Sequence, residues 1–175
     1  MTRIDPTASA TETPTSTSTA TSAPQPSSRG CFVCGRENPM GLAARWTNHP
    51  DVGEVRATVE IPEHFNGYPG TVHGGILSAL LDEAAVRTAL LDGGFDDLMV
   101  TAKLEVSFRR PTPTRTPVAV VARVTRRSGA RAIAVAEVRL PDGTVTAHAE
   151  ALLTKPPPDV AAGWEQERPW WRVDP

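Results

Sequence analysis

Polar and apolar residues alternate along several segments of the chain, whereas one segment is apolar almost throughout. Alternation predicts strands with one buried face, at residues 42–48, 54–61, 98–108, 118–126, 131–140 and 144–154. The segment 76–91 is apolar on nearly every face and predicts a buried helix. Strands with one apolar and one polar face suit a single sheet covered on one side. We therefore predict an α+β fold in which an antiparallel sheet wraps around one long central helix.

Three of the predicted strands carry further local signals. Residues 131–140 and 144–154 should form a hairpin, because the intervening Pro-Asp-Gly-Thr at 141–144 supplies turn residues. Strict alternation along 98–108 places Thr101 on the polar face of its strand, with Lys103, Glu105 and Ser107.

The glycine turn before the helix is the most distinctive local feature. Gly74 and Gly75 allow a tight turn and leave first-turn amide groups without intrahelical partners. Such donors can bind an oxyanion. Asp82 lies further along in the apolar run. Because burying an unpaired charge is costly, Asp82 is either at a solvated edge or a catalytic acid, and the pattern favours neither.

The spacing between the turn and the acid predicts the assembly. Asp82 follows His73 by nine residues, which is about 13 Å along a helix axis. A polarising amide and a base must both lie within roughly 3 to 4 Å of the reacting carbon. One helix cannot supply both groups to one atom, so we predict a site shared across a two-fold dimer.

Three motifs together carry a family resemblance. They are G-T-V-H-G-G-x-x-x-x-x-L-D at 70–82, C-F-V-C-G-R-E-N-P-M-G-L at 31–42 and V-T-A-K-L-E-V-S-F-R-R-P at 100–111. With them the chain resembles, from about residue 31 to 155, the hotdog-fold acyl-CoA thioesterases of the PaaI-like and 4-hydroxybenzoyl-CoA types. The resemblance implies a hotdog fold, a homodimer with two shared sites, and thioester hydrolysis; relatives commonly pair again into homotetramers.

The resemblance also implies catalytic roles for five residues. The amide of Gly74 receives the thioester oxygen, and Asp82 acts either as general base for water or as nucleophile. Thr101 matches a residue that positions the water. Asn66 matches an upstream amide, although relatives place that amide where this chain has Gly67. His73 is either a catalytic base or a residue whose ring braces the turn; we favour bracing.

Candidate substrate contacts follow from the phosphates of CoA. Arg109 and Arg110 end a predicted strand and could bind phosphate, or could simply protect a solvated strand edge. Gly75 belongs to the anion-binding turn. The implied partner is an acyl-CoA or acyl-carrier-protein thioester. The basic clusters are short and lack aromatic stacking residues, so we expect no nucleic acid partner.

The chain ends differ from the predicted domain at residues 30–155. Residues 1–29 are Thr, Ser, Ala and Pro almost throughout, which predicts a disordered tail. Residues 156–175 contain several prolines but also Trp164, Trp170 and Trp171. We expect these tryptophans to pack over the domain or its dimer partner, with a flap near the acyl pocket as the alternative.

Composition adds few constraints. The chain has 175 residues, 39% hydrophobic content and a formal net charge of −2, which allows one domain plus tails and gives no partner signal. Asp82, Glu83 and Arg87 interrupt the apolar helix, so no membrane span is expected. The N-terminus lacks the apolar core of a secretory signal. We therefore expect a cytoplasmic protein.

Cys31 and Cys34 form a C-x-x-C motif. A structural zinc site needs four ligands, and the chain has only two cysteines. A redox dithiol lacks the usual βαβ context. We therefore expect two packed thiols and neither metal nor cofactor. Glu83 points about 100° away from Asp82 on a helix and is expected to be a partner or surface group.

Two other functions remain open. A hotdog dehydratase or hydratase is one, because His64 and Phe65 precede a Pro-Gly turn as in β-hydroxyacyl-carrier-protein dehydratases. The other is a module that binds an acyl thioester without turnover.

Overall fold

The N-terminal boundary of the fold differs from the prediction. The computed structural model describes residues 22–174, so residues 1–21 of the predicted disordered tail lie outside it. Residues 22–29 correct that prediction, because Ala23–Pro24 forms a first short strand, β1, and Gln25 is buried. The Gln25 side-chain amide donates to the Arg87 carbonyl at 3.0 Å. Hydrogen bonds rather than large apolar side chains hold this segment, which is why composition did not reveal it.

Nine strands form along the described chain. Their bounds after β1 are β2 Thr47–His49, β3 Glu54–Glu60, β4 Asn66–Tyr68, β5 Thr71–Val72, β6 Val100–Phe108, β7 Pro117–Ser128, β8 Arg131–Arg139 and β9 Val145–Thr154. Seven of them make one sheet in the order β1-β2-β3-β7-β8-β9-β6, and β4 and β5 form a separate hairpin. Every pairing is antiparallel. The strand predicted at residues 42–48 is observed only at Thr47–His49.

One helix, α1, packs against the sheet. It spans Gly74–Arg87 and continues as a 3-10 turn at Thr88–Leu90. The buried side of the helix is formed by side chains spaced three and four apart: Leu77, Leu80, Leu81, Ala84 and Ala85. The facing sheet residues on β8 and β9 are largely alanines, including Ala134, Ala136, Ala149 and Ala151. Small side chains on the sheet let the helix approach it closely. The predicted central helix and antiparallel sheet are both present.

The turn between β8 and β9 forms as the sequence predicts. Gly143 has a φ of +84°, a conformation that favours glycine. The Asp142 carboxylate accepts from the Thr144 amide at 2.9 Å. The Gly143 conformation and this hydrogen bond close the turn between the two strands.

The predicted face of Thr101 is wrong. The pairing of β6 with β9 shifts between Thr101 and Lys103, so Thr101 lies opposite Leu153 while Lys103 lies opposite Leu152. This bulge adds one residue to β6 and reverses the alternation at that point. Leu153 is fully buried, and cross-strand partners share a face. Thr101 therefore lies on the helix-facing side, and not with Lys103, Glu105 and Ser107.

The C-terminal segment packs on its own domain. It contains the short helix α2, Pro158–Gly163, and a 3-10 turn, Glu165–Trp170. Trp171 packs edge-on against Phe95 with ring centroids 5.9 Å apart. Asp174 forms ion pairs with Arg36 and Arg45. Within residues 22–174, no helix has the length and apolar content needed to cross a membrane.

Candidate active site

The glycine turn is positioned by backbone hydrogen bonds from two directions. The His73 amide donates to the Phe65 carbonyl at 2.9 Å, and the Val72 amide donates to the Thr112 carbonyl at 2.9 Å. These bonds anchor the β4–β5 hairpin against the segment that follows β6. The chain therefore enters α1 at a fixed angle, with His73 as the N-cap residue in an extended conformation.

The ring of His73 caps the helix. Its Nδ1 accepts a hydrogen bond from the Gly75 amide at 2.9 Å, as an N-cap side chain does for an unpaired first-turn donor. The Gly74 amide differs, because no acceptor for it lies among residues 22–174. The start of α1 thus presents one free N–H at the positive end of the helix dipole.

A cavity of about 560 Å³ lies at this helix start. The glycine turn and the end of β6 line it together: Gly67, Tyr68, Thr71, Val72, His73, Gly74, Leu77, Phe108, Arg109, Arg110, Pro111 and Thr112. The amides of Arg109 and Arg110 both donate to the Thr146 carbonyl, at 2.7 and 3.1 Å. Their backbones are therefore fixed, and both predicted phosphate contacts lie at the same cavity as Gly74.

Close packing at the turn explains its glycines. A Cβ on Gly74 would lie 3.2 Å from the Phe108 ring, and a Cβ on Gly75 would lie 3.1 Å from His73 Nδ1. Both distances are tighter than ordinary contacts. A larger residue at Gly74 would displace the Phe108 ring, and one at Gly75 would displace the His73 ring that caps the helix.

Asn66 is not brought to the cavity. Its side-chain amide instead donates to Glu63 at 3.3 Å, and Gly67 lines the cavity in its place. Glu63 also accepts from the Thr114 hydroxyl at 2.6 Å and from the Gly70 amide at 3.1 Å. The hydrogen bonds to Thr114, Gly70 and Asn66 lower the pKa of Glu63. No local sequence pattern reveals this loop anchor, because its Thr114 partner lies 51 residues from Glu63.

Asp82 lies outside the cavity of its own protomer. It is eight residues after Gly74, which is about 12 Å along the axis. Asp82 is half-buried, and no hydrogen bond or ion pair engages it within the described part of the chain. Ala79 and Val86, three residues before and four after, are also half-buried. Asp82 therefore lies on an open, largely apolar side of α1, opposite the side that packs on the sheet.

Thr101 has an unusual environment. Its hydroxyl oxygen is buried and has no hydrogen-bond partner among the residues described. A buried hydroxyl without a partner is costly. The bulge in β6 is what turns this group toward the helix side of the sheet.

A second polar cluster lies near the other end of α1. Sulfur atoms of Cys31 and Cys34 and a carboxylate oxygen of Glu83 lie within 4.8 Å of one another. Arg87 Nη2 donates to Cys34 Sγ at 2.8 Å, and Arg87 Nε donates to Glu83 at 2.8 Å. Glu83 is thus an internal partner rather than a surface group.

The charges of this cluster shift its pKa values. The adjacent Cys31 thiol and the charge of Arg87 lower the pKa of Cys34, and the adjacent Cys34 sulfur raises the pKa of Cys31. Burial raises the pKa of Glu83 to about 6. The three groups offer three metal ligands, one short of a structural zinc site, and the adjacent Arg87 cation opposes a dication.

Comparisons with known proteins agree with this architecture. The family model described as Thioesterase superfamily matches residues 69–147, which include the glycine turn and α1. A crystal structure of a thioesterase superfamily protein superposes with a TM-score of 0.66 and 29% identity, over 72% of this chain and 63% of that one. The PaaI protein of the phenylacetic acid degradation operon of E. coli gives 0.54 and 17%, over 59% and 76%.

These matches, with the observed sheet order and single main helix, confirm the predicted hotdog fold and agree with the resemblance to thioesterases. A curated relative, acyl-coenzyme A thioesterase THEM4 of Rattus norvegicus, is 29% identical over 97 residues, or 55% of this chain. The chain spans 40% of the length of that relative.

Proposed function

We propose that this protein hydrolyses the thioester of an acyl-CoA or an acyl-carrier protein. The observation that carries the proposal is the free Gly74 amide at the start of α1, which opens into a cavity that Arg109 and Arg110 also line. An amide donor beside two exposed arginine side chains suits a thioester whose leaving group bears phosphates. The superfamily match and the acyl-coenzyme A thioesterase relative support the same chemistry.

The proposed role of the turn is to stabilise the developing oxyanion. The thioester oxygen accepts from the Gly74 amide and gains negative charge when the carbonyl carbon becomes tetrahedral. His73 holds the turn through Gly75, so the donor requires no rearrangement during the reaction. Loss of one such donor typically costs about 100- to 1000-fold in kcat.

Asp82 of the partner subunit is proposed to act on the attacking water. As a general base it takes a proton while the water oxygen bonds to the carbonyl carbon; the C–S bond then breaks and the thiolate leaves with that proton. As a nucleophile, its oxygen would instead form a mixed anhydride that water hydrolyses. Thr101, whose buried hydroxyl has no partner in residues 22–174, is the proposed water-positioning residue.

Two surfaces support a homodimer as the working assembly. The open side of α1 carries Asp82 among half-buried apolar residues. Strand β6 is the last strand of the sheet, and its free edge can pair with a second copy. A two-fold arrangement would bring the Asp82 of each protomer to the Gly74 of the other, which the separation of about 12 Å within one helix prevents.

The decisive experiment follows loss of thioester absorbance across short, long and aromatic acyl-CoAs, so that the protein's own thiols do not interfere. Asp82→Asn should reduce kcat by about 100- to 10,000-fold while the dimer persists. Asp51→Asn, in an exposed turn, is the matched control and should match wild type. No hydrolysis of any substrate by wild type would overturn the proposed function, and near-normal turnover by Asp82→Asn would remove Asp82 from the mechanism.

The same preparation distinguishes the two other functions. Hydration of crotonyl-CoA without thioester loss would indicate a hydratase, and saturable binding without turnover would indicate a binding module. The hydratase hypothesis depends on His64, which packs against Phe65 with ring centroids 4.3 Å apart and does not line the cavity.

A further inference from the structure

The cysteine cluster has features that packed structural thiols do not need. Arg87 is 2% exposed, and its Nη2 donates to Cys34 Sγ. The Ser28 hydroxyl lies 3.7 Å from the same sulfur. A buried cation with a sulfur partner stabilises the thiolate over the neutral thiol.

Cys31 has the opposite environment. Its Sγ donates to a Glu83 carboxylate oxygen at 3.7 Å, so it is held as a neutral thiol beside a proton acceptor. One sulfur of the pair is therefore prepared to attack, and the other is prepared to lose a proton later. This asymmetry characterises reactive dithiols rather than inert buried cysteines.

The backbone between the cysteines allows a disulfide. Residues 32–34 form a turn, closed by the Gly35 amide donating to the Cys31 carbonyl at 2.9 Å. A turn brings residues three apart to within about 7 Å at Cα, which is the range a disulfide requires. The sulfurs already lie within 4.8 Å, so side-chain rotation can join them.

A cavity of about 220 Å³ gives access to both sulfurs. Cys31 and Cys34 line it together with Glu83 and Arg87, and Trp164 and Trp171 form part of its wall. One water fills about 30 Å³ of liquid volume, so a small hydroperoxide fits while a folded protein substrate does not.

We propose that Cys31 and Cys34 are a redox-active dithiol that a small hydroperoxide such as hydrogen peroxide oxidises to a disulfide. The Cys34 thiolate attacks one peroxide oxygen, the O–O bond breaks, and hydroxide leaves and is protonated by solvent. Cys34 is then a sulfenic acid, oxidised by two electrons, and the peroxide is reduced. Cys31 gives its proton to Glu83, and its sulfur attacks the Cys34 sulfur. The S–O bond then breaks, and the leaving hydroxide takes that proton from Glu83 to become water.

A zinc site on the same residues is less well supported. It would have three protein ligands, and one of them, Cys34, already accepts from the guanidinium of Arg87 at 2.8 Å. A dication at that sulfur would be repelled by the buried cation. The Arg87 cation balances one negative charge at Cys34, and a Cys34 thiolate carries that charge.

The test measures oxidation of the intact, reduced protein by hydrogen peroxide between pH 6 and 8. Intact mass should fall by two hydrogens, and a reducing agent should restore it. The rate at pH 6 should exceed that of free cysteine at least tenfold and should vary little up to pH 8. Free cysteine, with a pKa near 8.5, slows roughly 100-fold over that range when the pH is lowered. Fluorescence of Trp164 and Trp171 provides a second signal.

Three variants assign the roles. Cys31→Ser should stop at a sulfenic acid on Cys34 that dimedone labels. Cys34→Ser should lose the fast reaction. Glu83→Gln should let the sulfenic acid accumulate. If a variant fails to fold, peptide mapping of oxidised wild type still identifies the linkage.

Three results would overturn the proposal. One is a wild-type rate at pH 6 no greater than that of free cysteine, and another is oxidation of both sulfurs without a link between them. The third is one zinc per chain in the purified protein that is released when the thiols are blocked. None of these readouts depends on thioester hydrolysis.

Discussion

The two ends of α1 collect polar groups in opposite ways. At its start, the Gly74 amide faces a cavity of about 560 Å³ without an acceptor among the described residues. Near its other end, Arg87 is buried and donates to Glu83, Cys34 and the Pro26 carbonyl. An unpaired donor in an open cavity can bind a ligand, whereas a buried cation shifts the pKa values of the groups paired with it. One helix thus carries an open, unpaired donor at its start and a buried, paired cation near its end.

The largest expected effect is on stability, from removing the cation of the buried end. Arg87→Met should lower the free energy of unfolding by about 3–5 kcal/mol, because Glu83 and the Cys34 sulfur would lose their charged partner. Urea unfolding measures this loss. The matched control is Arg56→Met, since Arg56 forms an ion pair with Glu54 but its side chain is 45% exposed; that change should cost less than about 1 kcal/mol. Equal losses in the two variants would contradict the contrast between the ends.

The Arg87 contacts also mark the limit of sequence prediction. Arg87 and Cys34 are 53 residues apart, and no local pattern pairs them. The predicted face of Thr101 is wrong for a related reason, because the bulge in β6 depends on how that strand pairs with β9. Both are tertiary effects that override alternation and spacing.

The opposite is true of the glycine turn. Gly74, His73 and the start of α1 follow from local rules of turn and cap chemistry. The central helix and the β8–β9 hairpin are predictable for the same reason. Asn66, whose role only the resemblance implies, donates its side-chain amide to Glu63 and does not line the cavity.

Titration of Glu83 provides a second, smaller test of the buried end. Its pKa is raised from 4.5 to about 6, mainly by burial, so the folded state binds this proton more tightly than the unfolded state. The resulting stability is fully present below pH 4.5 and is lost as the pH rises through 6. That loss amounts to about 2 kcal/mol at 1.36 kcal/mol per unit.

The measurement is the free energy of unfolding of wild type and Glu83→Gln at several pH values from 4.5 to 7. Wild type should lose stability relative to Glu83→Gln as the pH rises, because glutamine does not titrate. A difference that stays constant with pH would show that Glu83 has an ordinary pKa.

His73 tests the open end through a pair of variants. His73→Ala removes the acceptor for the Gly75 amide and should cost about 1 kcal/mol of stability, together with part of the activity. His73→Asn supplies a side-chain oxygen that can cap the same helix. If the ring braces the turn, His73→Asn should recover most of the stability and the turnover. Recovery of stability without any turnover would instead indicate that His73 is a catalytic base.

The smallest expected effect concerns the cations that share the open cavity. Arg109→Gln and Arg110→Gln should each raise KM for acyl-CoA up to about fivefold with little change in kcat, since an exposed ion pair is worth up to about 1 kcal/mol. The increase should shrink as salt is added, because salt screens exposed charges. Arg126→Gln is the matched control, because Arg126 lines a different cavity with Ser128 and Arg131. A KM increase for Arg126→Gln equal to that for Arg109→Gln would mean that the phosphates are attracted by overall charge rather than by the residues beside Gly74.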